Sequence, residues 1–110
     1  MPDQFDVTDV PERHRYEIRV GDVTAGFAEY ALRTDPHGDG ETIAFVHTEV
    51  DDAFAGQGLA GRLARAALDD ARARHLAVLP FCPFIRGWIT KHPDYLDLVP
   101  VGRREQFDLA

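Results

Sequence analysis

The run Gly56-Gln57-Gly58-Leu59-Ala60-Gly61 stands between an apolar strand pattern and a long amphipathic helix pattern. Glycines let a backbone approach a ligand closely, and a helix start offers unpaired N–H groups and a partial positive charge. In that order the parts make a phosphate cradle. From Leu59 the apolar positions 59, 60, 63, 64, 67, 68 and 71 fall on one helical face, with Arg62, Arg65, Asp69 and Arg72 opposite, which predicts a helix to about His75. Leu76–Pro80 then reads as a short apolar strand. A strand, a helix and another strand normally make a right-handed crossover to a parallel neighbour, so the chain is expected to be an α/β protein.

Three strands are expected upstream. Arg13–Val20 alternates Tyr16, Ile18 and Val20 with charged residues, and Gly21-Asp22 is a tight turn. Val23–Arg33 follows, with a change of apolar phase at Gly26 that predicts a bulge. Thr34–Gly40 is a loop by composition. Glu41–Val50 is the third strand, and its middle, Ile43–Val46, is apolar on both faces, as in a central strand. The three are expected to form an antiparallel meander. Downstream, Cys82-Pro83 opens a second helix carrying Phe84, Ile85, Trp88, Ile89 and His92 on one face, and Pro93 ends it. In the tail from Asp94, Tyr95, Leu96 and Leu98 are expected to pack.

The chain has 110 residues, enough for one domain with a modest core. A single domain over 1–110 is expected, with residues 1–12 as an N-terminal segment and 97–110 as a tail. One cysteine, Cys82, excludes an internal disulfide framework, and a cytoplasmic protein with a free thiol is the expectation. No apolar run approaches a membrane span. Charge is uneven: up to residue 54 there are 13 carboxylates against 4 arginines, and beyond it 6 carboxylates against 8 basic residues. The less acidic half holds the glycines, which suits an anionic ligand. Basic clusters are absent, which argues against nucleic acid, and no metal set is expected.

Two phosphate ligands compete for the glycines. Gly56-x-Gly58-x-x-Gly61 matches the dinucleotide pattern, but that fold needs an acidic residue about 20 positions later to hold a ribose. Leu76–Cys82 contains none. Half of the expected sheet also precedes the motif, which leaves too little chain for the rest of such a fold.

The stretch resembles motif A of the GNAT acetyltransferase superfamily, which cradles the pyrophosphate of coenzyme A between a strand and a long helix. Gly58-Leu59-Ala60 fits its Gly-x-Gly/Ala part, whereas Ala55 stands where the pattern has Arg or Gln. With His47–Val50 and the string from Leu79 through Tyr95, residues 14–96 are similar to the small single-domain branch called YjdJ-type N-acetyltransferases. The resemblance implies a GNAT-like mixed sheet, acetyl-CoA as donor and an amine acceptor. It places the cofactor on Gly56, Gln57, Gly58, Leu59, Ala60, Gly61 and Arg62 and on the backbone near Val50. The pantetheine arm would thread a gap between Thr48–Val50 and Leu79–Phe81.

Acyl transfer to an amine needs a held donor, a neutral amine and a stabilised oxyanion. His47 and Glu49 share one strand face and could relay a proton, or simply face solvent. Cys82 at the start of the second helix could take the acetyl group or protonate the departing thiolate. It could equally be a small buried hydrophobe. Superfamily members insert two helices between their first two strands as a wall of the acceptor site, and Val20–Val23 has room only for a hairpin. An open acceptor side favours a protein amine. The competing reading is a non-catalytic acyl-CoA-binding or sensor module.

Overall fold

The structure, a computed structural model, describes residues 5–35 and 40–109. Five strands form one sheet in chain order: β1 (Phe5–Val10), β2 (Arg15–Val20), β3 (Val23–Asp35), β4 (Gly40–Val50) and β5 (Ala77–Pro80). The first four pair antiparallel and β5 joins β4 parallel. Helix α1 (Leu59–Ala73) links β4 to β5, and α2 (Pro83–Lys91) follows β5. The expected mixed α/β architecture is present.

Strand β1 was not expected, and it makes the meander four strands long. Pro11–Arg13 forms a 3-10 turn closed by His14 in the left-handed region, which starts β2 at Arg15 rather than Arg13. Neither that link nor Gly21-Asp22 holds a helical pair, so the expected absence of an inserted wall applies at both joints. The bulge near Gly26 is present: Ile18 pairs with Gly26 and Arg19 with Thr24, leaving Ala25 extra. β3 runs on to Asp35 and β4 begins at Gly40, so within the expected Thr34–Gly40 loop, residues 36–39 lie outside the described residues.

Helix α1 buries Leu59, Leu63, Ala64, Ala67, Leu68 and Ala71 against the sheet, which is the predicted stripe except for Ala60, only half-buried. Each fully buried leucine contributes about 1.5–3 kcal/mol. The helix stops two residues short of His75, which adopts φ 57° and turns the chain into β5. Val46 is 49% exposed, so both-face burial in β4 runs from Thr42 to Phe45 and stops short of the expected Val46. Phe84 is also exposed, whereas Ile85, Trp88 and Ile89 are buried. In the tail Tyr95 and Leu98 are buried as expected, Leu96 partly, and Val99 and Phe107 join them, Phe107 edge-on to Phe81.

A second polar layer ties β1 and α1 to the sheet. The Tyr16 hydroxyl donates to Asp70 at 2.5 Å and the Tyr30 hydroxyl to Asp9 at 2.5 Å, while Arg74 reaches both carboxylates. These bonds satisfy phenols whose burial would otherwise leave a donor unpaired.

Candidate active site

The glycine run begins where β4 ends. Asp51 caps a 3-10 turn at Asp52–Phe54 by accepting from the Ala53 N–H at 2.9 Å, and the Ala55 N–H bonds back to Asp52. Gly56 (φ 83°) and Gly58 (φ 72°) then adopt left-handed conformations, which L-residues other than glycine rarely take. Nothing lies within 4 Å of where a β-carbon would sit on either. Gly58 is the N-cap of α1 and supplies no side chain, and the first turn contains no acidic residue. The first N–H groups of α1, which have no intrahelical acceptor, therefore have neither a side-chain cap from Gly58 nor an acidic residue in the first turn.

Leu59 of the cradle is buried and Ala60 and Gly61 are partly so, while Gln57 is exposed. Arg62 is exposed and its guanidinium lies 5.0 Å over the Phe5 ring of β1. Arg65 instead donates to the Tyr95 hydroxyl at 3.2 Å, and that hydroxyl donates to Asp69 at 2.7 Å. The Tyr95 pKa is raised, by burial first and then by the Asp69 hydrogen bond. Trp88 is core, stacked on His92 at 3.8 Å.

The second part of the site is a parting of strands. β4 and β5 pair from Thr42/Ala77 to Phe45/Pro80, after which β4 continues to Val50 without β5 beside it. Cys82 closes the inner end of this opening. Its N–H bonds the Phe45 carbonyl at 2.8 Å and its thiol donates to Thr48 Oγ1 at 3.3 Å. Cys82 is the N-cap of α2 with Pro83 at N1, and it is 3% exposed.

The parting coincides with a bulge in β4 that no sequence expectation named. Tyr30 pairs with Phe45 and Glu29 with His47, leaving Val46 extra. A bulged residue sits outside the ladder on its own strand, and here β5 has also left. The sequence carries the sign of it, because apolar phase passes from Phe45 to Val46, Thr48 and Val50.

The three candidate catalytic residues form two groups. Tyr16, Ala28 and Thr48 stand opposite one another along β2, β3 and β4, so Thr48 shares the face that α1 covers. His47 and Glu49 alternate with Thr48 and point to the other face, where both are exposed. His47 Nε2–H donates to Glu49 Oε1 at 3.0 Å. Cys82 meets Thr48, and the His47–Glu49 pair lies across the strand from it.

A family model described as GCN5-related N-acetyl-transferase matches residues 15–98. Protein NATD1 of Xenopus tropicalis is 38% identical over 53 residues, 48% of this chain and 49% of that protein, so the chain spans about half the length of this curated relative in the match. Among solved structures, ribosomal-protein-alanine N-acetyltransferase from Brucella melitensis biovar Abortus 2308 is similar with a TM-score of 0.56 at 18% identity, over 79% of this chain and 63% of that one. At that identity the likeness concerns the fold. The family match takes in β2 through α2, including the cradle and the parting, and the chain belongs to the GCN5-related N-acetyltransferase family.

Proposed function

We propose that this protein transfers an acetyl group from acetyl-CoA to a primary amine carried by a protein. The observation that carries the reading is the parting of β4 from β5 beyond Phe45 and Pro80, with the glycine cradle following the outer end of β4 and Cys82 at the inner end. The cradle fits a pyrophosphate: Gly56 and Gly58 have open space where side chains would stand, and the α1 start is uncapped and free of carboxylates. Backbone N–H groups at Gly58–Gly61 would hold the phosphates, with Gln57 and Arg62 as polar neighbours. Ala55 offers no side-chain contact, so the holding is by backbone. Val46–Val50 would hold the arm along the free edge of β4.

Acetyl-CoA, when bound, supplies an acyl group activated as a thioester. The protein's share is placement and proton handling. Val46, outside the ladder, offers a backbone donor for developing negative charge on a carbonyl oxygen. The His47–Glu49 pair holds a proton on the exposed face and can accept one from an ammonium. The Cys82 thiol, fixed by Thr48, stands at the closed end as a proton source for a departing thiolate.

The test is to incubate the protein with acetyl-CoA and a panel of amines, following thiol release and the intact mass of the protein. Release that requires an amine and falls in His47→Ala supports transfer. A stable mass gain of one acetyl group that Cys82→Ala abolishes would make Cys82 a covalent carrier instead. Binding without release would favour an acyl-CoA-binding module, and absence of coenzyme A binding would overturn both.

A further inference from the structure

The thiol at the closed end of the parting does not face it directly. Cys82 is 3% exposed, and its S–H is directed at Thr48 Oγ1 at 3.3 Å. Its N–H is also committed, to the Phe45 carbonyl at 2.8 Å. Although Cys82 is the N-cap of α2, the thiol makes no capping bond to its own helix. One side chain therefore stands between this proton source and the opening.

That side chain is Thr48. It lies beyond Phe45, where pairing with β5 stops, on the stretch of β4 whose second edge is free. Its other edge pairs with Ala28 of β3, which fixes the backbone. Thr48 is half-buried where Cys82 is buried. Its hydroxyl accepts the thiol and makes no other hydrogen bond among the described residues. A hydroxyl carries one donor besides its acceptor sites, so the Thr48 O–H is left for whatever fills the parting. Thr42, on the same strand but inside the paired region, instead donates its hydroxyl to the Arg33 carbonyl at 3.1 Å.

Resting on the transfer reading above, we propose that Thr48 is a catalytic residue, whose hydroxyl protonates the departing thiolate and is reprotonated by Cys82. When the carbon–sulfur bond of the donor breaks, its electron pair stays on the sulfur. Thr48 Oγ1 gives its proton to that sulfur, and Cys82 Sγ gives its own proton to Thr48 Oγ1 in the same movement. Cys82 is left as a thiolate that accepts a hydrogen bond from Thr48, at the start of a helix whose first turn has no acidic residue. It regains a proton from solvent, which balances the one released by the attacking amine through His47 and Glu49.

The test compares Thr48→Val, which keeps the β-branched shape and loses the hydroxyl, with Thr48→Ser, which keeps the hydroxyl. The chain has one cysteine, so its infrared S–H stretching band reports on this contact alone, with no donor or acceptor present. The band should move to higher wavenumber in Thr48→Val and stay near its wild-type place in Thr48→Ser. In turnover, Thr48→Val should lose about tenfold or more in kcat while KM for acetyl-CoA stays within about twofold. Its solvent deuterium isotope effect should disappear, whereas Thr48→Ser should retain both rate and isotope effect. Cys82→Ala should fall as far as Thr48→Val, and the double variant no further. An unmoved band in Thr48→Val, a wild-type kcat in Thr48→Val or Cys82→Ala, or a loss confined to KM would overturn the relay and leave the transfer reading standing. Wild-type protein that binds coenzyme A but releases no thiol from acetyl-CoA with any amine would overturn both.

Discussion

The indole Nε1 of Trp88 stands 3.5 Å from where a β-carbon would lie on Gly61, so the first turn of α1 and the middle of α2 are separated by room for a methyl group and little more. Gly61 has no left-handed backbone to maintain. Gly61→Ala should therefore gain helix propensity of about 0.5–1 kcal/mol without a clash and raise Tm by about 2–6 °C. Gly61→Leu should push Trp88 off its neighbours and lower Tm. Thermal melts followed by tryptophan fluorescence distinguish the two, and a lower Tm for the alanine variant would refute the packing argument.

Gly26 behaves oppositely. A β-carbon there would meet the Glu49 carbonyl oxygen at 2.6 Å and the Val50 α-carbon at 3.2 Å, both backbone atoms of β4. Gly26→Ala should cost about 1–3 kcal/mol in urea unfolding. It should also weaken coenzyme A binding, because the strand it displaces leads into the cradle.

Gly58→Glu would place a carboxylate in the open space before α1 and impose φ 72° on a side-chain-bearing residue. Backbone strain of about 1–2 kcal/mol is the smaller effect. Repulsion of phosphate at the helix start should reduce coenzyme A affinity by about a hundredfold or more. Gly87→Glu, on α2 and also open, is the matched control. Calorimetric titration that found the two variants alike would remove the cradle from the donor site.

Stability should have a limit at each end of the pH range. Burial alone would raise the Glu17 pKa, but hydrogen bonds and charge from Arg15, then Arg19 and Arg13, outweigh it and hold the carboxyl below its ordinary 4.5. A group more acidic when folded stabilises the fold above its unfolded pKa and loses that contribution as pH falls through the folded value. Tyr16 and Tyr30 are shifted the other way, by burial first and then by hydrogen bonds to Asp70 and Asp9, to well above the ordinary 10.0. Their contribution is complete below pH 10.0 and drains above it, since the unfolded phenols ionise first. Unfolding free energy measured across pH should fall at both ends. Glu17→Gln should flatten the acid limb and Tyr30→Phe the alkaline one.

The elements from β2 to α2 were legible because each has a local mark: alternation in Tyr16-x-Ile18-x-Val20, glycines before Leu59, and Pro83 after Cys82. β1 has alternation only in Phe5 and Val7, which Asp9 breaks, and its order depends on Asp9 meeting Tyr30 and Arg74, 21 and 65 positions away. No local pattern carries such contacts. In the site, a strand period of two put His47 and Glu49 on one face. That Cys82 meets Thr48 instead of either depends on where β5 stops pairing, a property of the assembled sheet. The Val46 bulge was marked by the same change of apolar phase that identified the one at Gly26.

The region matched by the family begins at residue 15, whereas the sheet begins at Phe5. A fragment trimmed to the matched boundary would lose a six-residue edge strand and the carboxylate on which Tyr30 and Arg74 converge. It would also strip Phe5 from beneath Arg62. The sheet would then present β2 as its outer edge, with unpaired backbone groups from Arg15 to Val20 available to any second chain. For this protein, expressing only the recognisable family region would exchange an edge strand tied down through Asp9 for a β2 edge that has lost that tie.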